Sequence, residues 1–301
     1  MKRPIIIDTD PGIDDAAAIA FALHHPKLEV KLISTVHGNV NVHQTTRNAL
    51  KLLQFFSQSI PVVQGQATPL LRKAIHAPHV HGDNGLAGFN FEEPTTTTQD
   101  GNPLLIMRDT ILNSPQPITL VPIGPLTNIA LLLKSFPEVH HHIESIVLMG
   151  GSIGKGNVTE AAEFNIYADP EAAHIVFSLD IPITMIGLDI VRKSQLPFTL
   201  LPQMKEMNQT GNMLFNLFKH YRNESLKYGL NIYDAYTIMY LCYPDQFETD
   251  FAHVSVELND STLLGRTYVD FNHPEKSVNV LTYIHHDTFV KYFTALLKYC
   301  P

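Results

Sequence analysis

Residues 5–23 read IIIDTDPGIDDAAAIAFAL. The β-branched run Ile5–Ile7 has the composition of a buried strand. Pro11 and Gly12 mark a tight turn. From Ile13 onward the small and apolar residues suit a helix packed on the strand. Four aspartates, Asp8, Asp10, Asp14 and Asp15, crowd this strand-to-helix junction. Carboxylates so close repel unless something neutralises them. Helix capping accounts for Asp14 and Asp15, where the dipole favours anions. It does not account for Asp10, at the strand tip beside the turn. A hard cation does: carboxylate and carbonyl oxygens suit calcium or magnesium. Such an ion would acidify a bound water, with Asp10 serving as both ligand and general base.

The pattern set by this unit continues outward. LEVKLISTVHG (28–38), PVVQG (61–65), PITLVPIG (117–124), SIVLMGG (145–151) and PITMIG (182–187) read as strands. QTTRNALKLLQFF (44–56), PLLIMRDTILNS (103–114), LTNIALLLKSF (126–136) and PEAAHIVFS (170–178) read as helices. Short strands that are apolar throughout, alternating with helices, predict an α/β fold with a mostly parallel central sheet covered on both faces. Ligands bind such sheets at the carboxyl ends of the strands. The chemistry-bearing stretches fall there: Asp8 to Asp15, HGNVN (37–41), IGPLTN (123–128) and MGGSIGKGN (149–157). Residues 66–100, rich in Pro, Gly and Thr, form a long connection that carries HVHGDNG (79–85). Beyond 198 the pattern is mainly helical to Tyr243. Strand-like pieces follow at 252–257, 262–269 and 277–284, with a closing helix near 287–299. No internal repeat or linker divides the chain, so residues 1–301 are read as one domain.

Composition bounds the partners. A formal net charge of -8 argues against nucleic acid or an anionic membrane surface. Cys242 and Cys300 form no disulfide framework and no metal-ligand spacing, which favours a reducing cytoplasm. The apolar stretch after Lys2 and Arg3 is too short for a signal peptide, and no run approaches a membrane span. The sixteen histidines include the run His140–His142, read as a solvated helix face, and His24 with His25, which suit a helix C-terminus.

DTDPGIDDAAAI, HGNV, RNALKLL, HVHGDNGLAG, VPIGPLTNIALLL, VLMGGSIGKGN, AEFNIYADPEAAHIVF and YDAYTI follow one another through most of the chain. Together they resemble the inosine-uridine nucleoside hydrolase family. The resemblance implies a Rossmann-like fold and hydrolysis of the N-glycosidic bond of purine and pyrimidine ribonucleosides to ribose and free base. It implies one Ca2+ on Asp10, Asp15, the carbonyl of Ile123 and Asp234, with a calcium-bound water as nucleophile and Asp10 as general base. Asp14, Asn39 and Asn165 match residues that hold the ribose diol, which Asp234 also flanks. Asn157 and Glu163 match binders of the 5'-hydroxyl, with Met149 packed nearby. Asp8 is not a ligand in this pattern and is read as a support of the turn. The diol grip implies weak activity on deoxyribonucleosides, because losing the 2'-hydroxyl strands buried polar partners. A homodimer or homotetramer is implied as well.

One position departs from the family pattern. Tyr233 precedes Asp234 where a histidine tied to the leaving base is expected. A phenol with an unperturbed pKa near 10 donates a hydrogen bond but is a poor proton shuttle. His81 is the candidate to take over, and Tyr228 a candidate base contact. Tyr233 is expected to shift base preference and to lower turnover of purines. The opening also resembles haloacid-dehalogenase-type phosphatases, but PGIDD does not continue their pattern. A nucleoside binder without catalysis would use the same cleft; the intact Asp10 argues for chemistry.

Overall fold

Ile5 and Ile7 face one way from the first strand and Ile6 the other, and both faces are sealed from solvent. That alternation sets the layers of the computed structural model, which describes residues 2–221 and 229–301. Strand β1 (Arg3–Thr9) leads into α1 (Ile13–His24), and β2 (Leu28–Thr35) into α2 (Val42–Phe55). The short β3 (Val62–Gln64) precedes the long connection, in which Pro78–His81 form a helical turn, α3. Then come α4 (Pro103–Leu112), β4 (Ile118–Pro122), α5 (Thr127–Ser135), β5 (Ile143–Met149), α6 (Phe164–Ala168), α7 (Pro170–Phe177) and β6 (Ile183–Ile186). Helices α8 (Leu188–Lys193), α9 (Leu201–Met207), α10 (Gln209–Phe218) and α11 (Ala235–Cys242) follow. The chain closes with β7 (Glu248–Val256), β8 (Thr267–Asp270), β9 (Val278–Tyr283) and α12 (His286–Tyr299).

The nine strands form one sheet in the order β3-β2-β1-β4-β5-β6-β9-β7-β8. Pairings from β3 across to β9 are parallel; β7 runs antiparallel to β9, and β8 antiparallel to β7. The expected α/β class with a mostly parallel sheet is therefore present, extended by an antiparallel edge. Helices α1, α2 and α8 to α12 cover the Ile5 and Ile7 face; α4, α5 and α7 cover the Ile6 face. Helix α1 is buried at every residue from Ile13 to Ala22, which its alanines permit by letting neighbouring helices approach closely.

The sequence reading and the structure differ at the edge. The strand expected over 262–269 is confined to Thr267–Asp270, because residues 261–265 turn on a chain of Asp260 hydrogen bonds to Thr262 and Leu263. The histidine run lies in a 3-10 helix (Pro137–His142): His141 and His142 are exposed, while His140 binds the carbonyl of Leu133. Among the described residues no helix is long and apolar enough to cross a membrane.

Candidate active site

Strand β1 lies inside the parallel run, between β2 and β4, so the turn that follows it opens beside the carboxyl ends of both. Asp15 closes that turn: its Oδ2 accepts the Gly12 N–H at 2.9 Å and its Oδ1 the Thr9 hydroxyl at 2.6 Å. The helix-capping role expected of the cluster thus belongs to Asp15. Asp8 points away from the cluster, where its Oδ1 accepts from Ser34 and from Asn128 Nδ2. It braces β1 against β2 and α5, beneath the turn rather than within it.

Asp10 is held differently. Its Oδ2 accepts the Asn39 N–H at 2.7 Å. Its Oδ1 is buried and has no partner among the described residues. Two glycines make room for this carboxylate. A Cβ at Gly38 would lie 1.9 Å from Asp10 Oδ2, and one at Gly124 would lie 2.7 Å from Oδ1. Asn39, after β2, also reaches the Asp10 carbonyl and Asp15 Oδ2 through its Nδ2, both at 3.2 Å.

Asp14, Asp15 and Asp234 each place a carboxylate oxygen within 4.8 Å of the others. Asp234 arrives from the far half of the chain, at the start of α11. Burial, followed by the charges of Asp14, Asp15 and Asp10, pushes the Asp234 carboxyl well above the usual range. Burial and the charge of Asp15 do the same to Asp10, and burial raises Asp15. Three buried carboxylates that resist ionisation, a fourth buried beside them, an orphaned oxygen and a cradle that a Cβ would fill fit a hard divalent cation. Asp14, implied as a diol binder, stands in this group with the implied ligands Asp15 and Asp234.

The remaining predicted residues among the described ones line one cleft of about 340 Å3, except Asp10 and Asp15, which are buried and do not line it. Asn165 Nδ2 donates to the Ile123 carbonyl at 3.0 Å and the Met149 carbonyl at 3.1 Å. Glu163 caps α6, accepting from Asn165 N–H (3.0 Å), Ile166 N–H (3.2 Å) and Gly151 N–H (3.0 Å). Burial nevertheless pushes its carboxyl up to about 7. Asn157 is exposed at the rim, its Oδ1 accepting from Phe164 N–H. His81 Nδ1 accepts the Ile13 N–H at 3.0 Å, which leaves the ring hydrogen on Nε2. Tyr233 is buried in the cleft wall. Tyr228 lies outside the described residues.

Tyr221 and His76 had no sequence signal that separated them from packing residues. Tyr221 lies three residues beyond α10, and its hydroxyl donates to Asp14 Oδ2 at 2.9 Å. His76 binds the Gly38 carbonyl through Nδ1 and lines the cleft.

The family model described as "Inosine-uridine preferring nucleoside hydrolase" matches residues 5–291. The chain belongs to this nucleoside hydrolase family. A relative named non-specific ribonucleoside hydrolase RihC, from Escherichia coli (strain SMS-3-5 / SECEC), is 48% identical over 272 residues, 90% of each chain. The RihC of Salmonella typhi is 48% identical over 266 residues, 88% of this chain and 87% of that one. Among solved structures, a plant nucleoside hydrolase, PpNRh1, matches with a TM-score of 0.90 at 30% identity over 99% of both chains. A purine-preferring ribonucleoside hydrolase from Gardnerella vaginalis matches with a TM-score of 0.89 at 29% identity, covering 98% of this chain and 99% of that one. As a nucleoside hydrolase the protein is a glycosidase.

Proposed function

We propose that this cleft hydrolyses the N-glycosidic bond of purine and pyrimidine ribonucleosides, with Asp10 as general base and Ca2+ as the ion. The observation that carries the reading is the Asp10 carboxylate: one oxygen oriented by the Asn39 N–H, the other buried and unpartnered. Asp10, Asp15, Asp234 and the Ile123 carbonyl would hold the cation, with Asp14 adjoining. Bound there, it would keep the carboxylates ionised, acidify a water and grip vicinal hydroxyls.

The chain's own groups supply the rest. Asp10 Oδ1 takes the proton of the attacking water. Asn165 directs its Nδ2 hydrogens to two backbone carbonyls, so its amide oxygen remains to accept from a ribose hydroxyl. Asp14 and Asn39 complete the hold on the diol, which fixes C1' against the water and removes part of the entropic barrier. Glu163 and the amide nitrogen of Asn157 engage the 5'-hydroxyl. Bond cleavage builds positive charge on the sugar, as in glycoside hydrolysis, and the carboxylates stabilise it. His81, with its hydrogen on Nε2, donates to the departing base. Tyr233 donates from the wall but does not deliver a proton readily near neutral pH. The enzyme is taken to work in the cytoplasm as a homodimer or homotetramer.

The test is ribose release from inosine, adenosine, guanosine, uridine, cytidine and xanthosine, with and without a chelator, followed by re-addition of Ca2+ or Mg2+. Release that stops on chelation and returns with Ca2+ supports the reading. Nucleosides that bind without releasing ribose would overturn it in favour of a binding protein.

A further inference from the structure

Two of the strand-end stretches, HGNVN at 37–41 and IGPLTN at 123–128, are joined by a buried chain of polar side chains that touches no position proposed for substrate or ion. His37 Nε2 lies 3.0 Å from Thr127 Oγ1, and Thr127 Oγ1 lies 2.6 Å from Asp169 Oδ2. All three residues are buried. Asp169 is anchored in turn by the N–H groups of Ala172, at 3.0 Å, and Leu70, at 2.9 Å.

The direction of the chain follows from the proton count. A hydroxyl has one hydrogen, and the carboxylate is the acceptor. Thr127 therefore donates to Asp169, and its oxygen accepts the His37 Nε2–H. His37 is then neutral with a bare Nδ1, which matches its unpartnered Nδ1 and a pKa pushed down to about 4 by burial and by His76.

What this chain holds is the turn beside Asp10. His37 is the first residue of that turn; Gly38 packs against the Asp10 carboxylate, and the Asn39 N–H orients it. We propose that Thr127 is a positioning residue: by fixing the His37 ring it sets the Gly38–Asn39 turn, and thereby the direction in which the Asp10 carboxylate presents its second oxygen. This deepens the hydrolase reading and rests on it. Displacements of the order of 1 Å at a reacting group cost about 100-fold in rate, so a side chain remote from substrate can matter this much.

The test compares Thr127→Val, which keeps the shape and removes the hydroxyl, with Thr127→Ser, which keeps the hydroxyl. For Val, kcat per folded molecule is expected to fall at least tenfold while KM moves less than threefold. For Ser, kcat is expected within about twofold of wild type. A purely architectural role would lower the melting temperature and leave kcat per folded molecule unchanged; that result, or a Ser variant as slow as Val, overturns the proposal. A second measurement needs no folded Val variant: 15N NMR of histidine-labelled wild-type protein, with His37 assigned by His37→Gln. The hydrogen on Nε2 is expected, and a hydrogen on Nδ1 instead overturns the relay. Because that signal is independent of turnover, a wild type that releases no ribose would defeat the hydrolase reading while the spectrum still decides the relay.

Discussion

Replacing Asp234 with Asn should stabilise the metal-free protein and narrow that lead over wild type once a cation is bound. The change keeps the side-chain shape and removes one carboxylate of the buried cluster. Oxygens of Asp14, Asp15 and Asp234 lie within 4.8 Å of one another, and two unit charges at that separation repel by about 3.5 kcal/mol at an effective dielectric constant of 20. For a chain of 301 residues, ~2.1 cal/mol/K of unfolding entropy per residue turns that energy into a shift of about 5 °C. The sign follows from the raised carboxyl pKa of Asp234. Its contribution to stability is full below the unfolded value and is lost as pH rises through the folded one, so the repulsion is largest in alkaline buffer. The assay is thermal unfolding at pH 8.5, in chelator and then in Ca2+. In chelator Asp234→Asn should melt about 5 °C above wild type. Cation at 100 times its Kd adds about 2.7 kcal/mol to wild type, and the variant, short of a ligand, gains less. Ribose release should fall at least 100-fold. A variant that melts below wild type in chelator would refute the claim that these carboxylates are held together against their own repulsion.

Gly38→Ala would place a methyl group 1.9 Å from Asp10 Oδ2, so the carboxylate must swing away; kcat should fall at least 100-fold, and a variant within tenfold of wild type would show that the cradle is not needed. Tyr233→His should raise kcat/KM for inosine relative to uridine, since an imidazole can pass a proton to a leaving purine; an unchanged ratio removes Tyr233 from leaving-group chemistry. Glu163, raised from 4.5 to about 7 by burial, contributes stability that is full below pH 4.5 and is lost as pH rises through 7, about 3 kcal/mol in all. Denaturation midpoints followed from pH 4 to 8 should therefore decline less steeply in Glu163→Gln.

Much of the sheet was readable because parallel strands buried on both faces must be apolar at nearly every position, as Ile5–Ile7 and Ile118–Val121 are. Strand β7 was harder: Glu248, Thr249, Asp250 and Phe251 are all exposed at its start, so the alternation of buried residues begins only at Ala252. The cleft was legible where several chemical groups crowd one short stretch, as at Asp8 to Asp15. It was not legible where a single polar residue joins a distant one. Thr127 and Asp169 are 42 positions apart and His37 and Thr127 are 90, and threonines at helix starts usually serve as caps. Tyr221 was hidden for a related reason: it follows Phe215 and Phe218, which pack on the core, at helical spacing, and only the fold brings its hydroxyl to Asp14.

The contact between Tyr221 and Asp14 spans 207 positions. At ribosomal rates of 5–20 residues per second, about 10–40 s separate the synthesis of its two ends, and Asp234 emerges later still. For that interval a nascent chain holds Asp10, Asp14 and Asp15 at the head of α1 without the wall that closes over them. Water can screen their repulsion until α10 and α11 dock on α1 and shut it out. An ion held by the complete set of carboxylates would therefore be captured late in biogenesis, and would seal the finished fold rather than nucleate it.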